Sequence, residues 1–105
     1  MPRPLNPRRI RCLPAARYFK PRGIPMSDLE EVELAADELE ALQLADAEGL
    51  YRAQAAEKMG VSRQTFDRIV RRARAKVASA LVGGHALRIE KPPAAQKKNE
   101  AQGRS

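Results

Sequence analysis

"AAEKMGVSRQTFDRIVRR", residues 55–72, sets small residues and a glycine ahead of the most basic helical pattern in the chain. Two helices that cross closely need small side chains at the crossing, and the reversal between them needs a glycine. Ala55 and Ala56 suit the crossing, Met59 ends the first helix on an apolar residue, and Gly60 marks the turn. Val61 can plug that turn, and Ser62 is a natural N-cap for the second helix. The string predicts a short helix over about 52–59, a tight turn, and a long helix over about 63–82 ended by Gly83-Gly84.

The long helix is two-faced. At about 100° per residue, Ile69, Val70, Ala73, Val77, Ala80 and Leu81 all fall within roughly 60° of Phe66. Gln64, Arg68, Arg71 and Arg72 fall at roughly 140° to 240°, on the opposite side. The arginines therefore form a ridge pointing away from the core, with Asp67 at one edge. A helix held proud of its body by a tight turn fits the major groove of DNA. Gln64 and Arg68 sit one turn apart near the entering end, where Gln can pair with adenine and Arg with guanine. Arg63 and Thr65 flank them, within reach of a base or a phosphate. Arg71 and Arg72 lie further along and suit phosphates, and Ser62 combines its capping role with a phosphate contact.

Outward from this unit, charge is segregated. The chain has 105 residues and a net charge of +7, but residues 1–25 carry +7, 26–60 carry −8, 61–82 carry +5 and the remainder +3. A charge that served only solubility has no reason to alternate in blocks. Six of the eight prolines fall in the first block, which predicts an extended basic arm over 1–26, with Arg8 and Arg9 available for phosphates. Tyr18, Phe19 and Ile24 can pin its end to a folded body. From residue 91 the chain lacks apolar periodicity and reads as a disordered tail.

Between arm and tail, residues 27–90 read as one small domain. "SDLE" (27–30) fits a capping box for a brief helix, and Leu34, Leu39, Leu42 and Ala45 fall at helical spacing. "HALRIE" (85–90) is compatible with a short strand or coil. The expected fold class is all-α: a helical domain with a helix-turn-helix. Asp37, Glu38 and Glu40 read as first-turn charges and solvated face, because no nucleophile, metal-ligand set or phosphate loop accompanies them. Cys12 and His85 are too little for a metal site. No enzyme, metal or cofactor is expected, and with no membrane-length apolar run or signal core the chain reads as cytoplasmic.

The stretch "ELEALQLADAEGLYRAQAAEKMGVSRQTFDRIVRRARAKVASAL" resembles the fourth region of bacterial sigma factors, the helix-turn-helix that reads the upstream promoter element. Together with "MPRP" and "RYFKPRGIP", residues 1–90 also resemble a family of small uncharacterised prokaryotic proteins described as predicted DNA-binding proteins. Carried over residue by residue, the sigma-like pattern implies base-reading by Arg63, Gln64 and Arg68. The sigma regions that melt promoters and grip the polymerase core have no counterpart here. The resulting expectation is a sequence-specific binder of double-stranded DNA and a transcriptional regulator. Arg71, Arg72, Arg74, Arg8 and Arg9, with Ser62 and Thr65, would hold phosphates. A homodimer would extend the few base pairs that one such unit reads. The alternative is a protein-interaction module that docks on RNA polymerase through its acidic helices.

Overall fold

The computed structural model describes residues 9–91, so Arg8 and all but the first residue of the expected tail lie outside it. Three helices and a three-stranded mixed sheet make an α+β domain. The all-α expectation is therefore wrong. Strand β1 (Tyr18–Phe19) pairs antiparallel with β3 (Ala86–Ile89), and β2 (Glu31–Leu34) pairs with β3 in parallel, giving the order β1-β3-β2. All three helices lie in the crossover between β2 and β3, as a parallel pair requires a long connection.

The error has a physical origin. "EVEL" alternates acid and apolar residues, so in a strand Leu34 is buried while Glu31 and Glu33 reach Arg88 on β3. Leu34 also fits the 3.6-residue spacing of the leucines after it, and four residues cannot separate the two periods. "SDLE" begins no helix of its own; Met26–Asp28 form one 3₁₀ turn without a side-chain cap. The helix α1 covers Ala36–Leu42 and loosens into a π-helical turn over Gln43–Ala47.

The helices α2 (Arg52–Met59) and α3 (Arg63–Gly83) fall where the turn string places them. Gly60 adopts φ 71°, and a Schellman closure ends α2: Gly60 N–H donates to the Glu57 carbonyl and Val61 N–H to that of Ala56, both at 3.0 Å. Ser62 Oγ accepts from the Thr65 N–H at 3.0 Å, as an N-cap does. Ala41, Ala55 and Ala56, each 2 % exposed or less, let the helices approach around Leu44, Met59, Phe66, Ile69 and Val70. Leu34, Ala73 and Ile89 join α3 to the sheet. Leu81, on the apolar side of the wheel, is 75 % exposed; it lines an open groove with Leu39, Leu42 and Val77.

Two acids are inside. Glu38 and Glu40 are 2 % and 3 % exposed, which corrects their reading as solvated charges. Glu38 lies three, four and seven residues before Ala41, Leu42 and Ala45, on the stripe that faces the core. Its Oε1 accepts from Lys76 Nζ and from the Ala35 N–H, both at 2.8 Å, and Oε2 accepts from Arg72 Nε at 3.1 Å. Burial alone pushes this carboxyl up; the hydrogen bonds from Lys76, Ala35 and Arg72 overcome it and hold it below the usual carboxylate range.

A carboxylate held low in the folded state stabilises fully above its unfolded value near 4.5, and that contribution is lost as pH falls through the folded value. Replacing Glu38 by Gln should remove about 2–3 kcal/mol at pH 7, since Arg72 and Lys76 can rehydrate where they lie near the surface. Thermal melts followed by circular dichroism should show the gap between wild type and Glu38→Gln narrowing below about pH 4.5. A gap that stays constant down to pH 3 would show that the charge of Glu38 contributes nothing.

Candidate nucleic-acid interface

The first two turns of α3 start directly after Gly60 and the Ser62 cap, and they bury Phe66, Ile69 and Val70 on one side. That leaves Gln64, Arg68 and Arg71 exposed on the other side, with Arg63 exposed at the helix start. Among the described residues, none of these four side chains has a hydrogen-bond or ion-pair partner. Ser62 is exposed and its hydroxyl donates to Thr65 Oγ1 at 3.0 Å, so the two hydroxyl groups form a pair at the helix start. Asp67, at the edge of the ridge, is taken by Arg52 of α2 at 2.7 Å. The acid nearest the ridge is thus neutralised by the neighbouring helix.

Arg72 and Arg74 are placed differently from Arg71. Arg72 is bound to the buried Glu38. Arg74 makes two bonds to Asp46, Nε to Oδ2 at 3.0 Å and Nη2 to Oδ1 at 2.8 Å, in the forked geometry a guanidinium favours. Those bonds hold the Asp46 carboxyl below the usual carboxylate range and raise the Arg74 guanidinium. The wheel places Arg72 on the ridge, but it cannot show that an acid from a different helix lies beneath it. The signal was Glu38 itself, an acid on an apolar stripe.

The basic arm meets the same turn. The Arg9 N–H donates to the Met59 carbonyl at 3.0 Å, and its Nη1 donates to the Glu57 carbonyl at 3.3 Å. Glu40 Oε1 accepts from the N–H groups of Arg11 and Cys12, at 2.8 and 2.6 Å. Sequence reasoning missed this strap because it is held through backbone groups. Tyr18 is half-buried, whereas Phe19 and Ile24 are exposed, so this part of the arm is fixed by pairing with β3 more than by apolar burial. Burial and the nearby Glu40 charge raise the Cys12 thiol above its ordinary value. No cluster of three or more His, Cys, Asp or Glu able to hold a metal occurs among the described residues, and no helix there is long and apolar enough to cross a membrane.

The model of the family described as "Protein of unknown function DUF134" matches residues 1–93. The chain belongs to this family. It is 57 % identical over 89 residues to a UPF0251 protein of Vibrio vulnificus (strain CMCP6), covering 85 % of this chain and 89 % of that protein. To a UPF0251 protein of Desulforudis audaxviator it is 56 % identical over 90 residues, covering 86 % of this chain but only 59 % of the relative. To one of Rhodospirillum rubrum it is 51 % identical over 96 residues, covering 91 % and 67 %. No solved structure matches the chain.

The contrast between adjacent arginines is open to measurement. Arg72→Ala should lower stability by about 1–2 kcal/mol, because it strips a partner from a buried carboxylate that keeps Lys76. Arg71→Ala should stay within about 0.5 kcal/mol of wild type. Urea titrations of both variants would decide it, and equal losses would mean that the Arg72–Glu38 contact does not form in solution.

Proposed function

We propose that the chain binds double-stranded DNA in a sequence-specific manner, using α2, the turn and the start of α3 as a helix-turn-helix, and that it regulates transcription. Arg63, Gln64 and Arg68 read base edges in the major groove; Arg71, with the hydroxyls of Ser62 and Thr65 and with Arg9, holds phosphates. The observation that carries this reading is how the cations divide. Acids of the body occupy Arg52, Arg72, Arg74, Lys76 and Arg88, while Arg63 at the start of α3 and Arg68 and Arg71 on the exposed ridge have no partner among the described residues. An arginine already paired must break that pair before it can neutralise a phosphate. An unpaired one displaces only solvent and counterions.

The same division argues against docking on a protein partner through the acidic block. Glu38 and Glu40 are buried, and Asp46, Glu31 and Glu33 face their own cations. Much of the −8 charge is consumed inside the fold, and the surface it leaves has fewer free acids than the sequence suggests.

Duplexes enriched from a random library and a mixed-sequence duplex, compared by fluorescence anisotropy, provide the test. Log affinity against log salt should slope at about −4 to −8. Arg68→Ala should cost about 1–3 kcal/mol on the enriched duplex and much less on the mixed one. Arg71→Ala should weaken both alike and flatten the slope by about one unit, whereas Arg74→Ala, already neutralised by Asp46, should leave the slope unchanged. If no duplex is enriched and the slope is nearly flat, the DNA reading falls. If Arg68→Ala weakens both duplexes in equal proportion, its base-reading role falls.

A further inference from the structure

Glu40 is a buried carboxylate whose hydrogen-bond partners are the backbone N–H groups of Arg11 and Cys12, both on Oε1, at 2.8 and 2.6 Å. A carboxylate removed from water is costly unless something is gained by holding it there. Here the ordered product is a short strap of chain. Two consecutive N–H groups on one oxygen fix both position and direction of the strap, and the residue it delivers is Arg9.

Arg9 lies over the turn that precedes α3. Its N–H takes the Met59 carbonyl, one of the groups that the end of α2 leaves without a helical partner. Its side chain runs across Gly60 so closely that a Cβ added there would sit 3.3 Å from Arg9 Nε. The φ of 71° calls for glycine at position 60, and the bare backbone there also lets this arginine pass close. The guanidinium spends one N–H, at 3.3 Å, on the Glu57 carbonyl. Arg9 is otherwise exposed beside Gly60, two residues before the Ser62 cap.

We infer that Glu40 is a positioning residue: its carboxylate latches the strap across the turn so that Arg9 and the first residues of α3 form one phosphate-binding edge. This inference rests on the DNA reading above. Arg9 contacts the nucleic acid, and Glu40 acts only through it.

The sign of the effect separates the latch from plain electrostatics. Removing an acid from a DNA-binding chain strengthens its attraction to phosphate when nothing else changes. The latch requires the reverse. In the full chain, with the mixed-sequence duplex, Glu40→Ala should bind about fivefold to tenfold more weakly at about 0.1 M salt, with a slope flatter by about one unit. Arg9→Gln, an exposed change that leaves the core intact, should do the same. The double variant should lose no more than either alone. The preference for an enriched over a mixed duplex should not change.

Wild-type affinity or tighter binding in Glu40→Ala would overturn the latch. If that variant does not fold, an unchanged slope in Arg9→Gln overturns the phosphate role by itself. Hydrogen exchange on the free chain is independent of DNA: the Arg11 and Cys12 amides should exchange slowly in wild type and rapidly in Glu40→Ala. Rapid exchange already in wild type overturns the latch. Slow exchange in a chain that binds no duplex at any salt overturns the DNA reading and the phosphate edge, while leaving the latch in place.

Discussion

The carboxylate of Glu38 ties together more of this domain than any other single group described. It closes the start of α1 through the Ala35 N–H, and it holds α3 through Lys76 and Arg72. Lys76 in turn donates to the Glu33 carbonyl of β2 at 2.8 Å, so the same ammonium spans helix and sheet. These polar bonds and Ala73 anchor α3 along its middle, while Phe66, Ile69 and Val70 seat its first two turns in the cluster built with α2. A 21-residue helix runs about 30 Å. Its start is thus packed against α2 on one side and open to solvent on the other, beside the turn.

That arrangement accounts for the division among the arginines. Arg72 and Arg74, on the two flanks of α3, meet Glu38 of α1 and Asp46 of the π-helical turn, and Arg68 and Arg71, which lie between those flanks, meet no acid among those described. Arg71 and Arg72 are neighbours in sequence and about 100° apart on the helix, enough to put one on the solvent side and the other over a buried carboxylate. The net charge of the chain thus overstates the cations that are free and the acids that are exposed. What the surface presents is a narrower basic ridge with its own neutralised margins.

The α2–turn–α3 unit was legible from the sequence because each of its signals is local. Gly60 must take a positive φ, Ser62 must cap, and the apolar residues from Phe66 to Ala80 must share a side; all of these act within one or two helical turns. The sheet was not legible. Tyr18 pairs with Arg88 and Phe19 with Leu87, so β1 is defined by residues some seventy positions away and lies within a proline-rich stretch. Strands of two and four residues carry too few alternations to announce a period of two. Of the site, the exposed Gln64, Arg68 and Arg71 could be placed from the wheel, and Arg63 from its position at the helix start. The pairing of Arg72 and Arg74 could not, because it depends on which acids the tertiary fold turns inward.

Both misread acids share one physical lesson. Glu38 and Glu40 stand two residues apart, about 200° around α1, and so face different parts of the protein. Glu38 meets side-chain cations from α3, which can reorient and rehydrate if it is lost. Glu40 meets backbone N–H groups of the strap, which have no such freedom and no other acceptor described for them. The first therefore fixes how helices pack, and the second fixes where an otherwise irregular, proline-rich segment runs. An extended segment without a ladder of its own cannot satisfy its N–H groups internally. A buried carboxylate supplied by a helix gives it a defined path at the junction of α2 and α3, where the helical part of the domain and its basic arm come together.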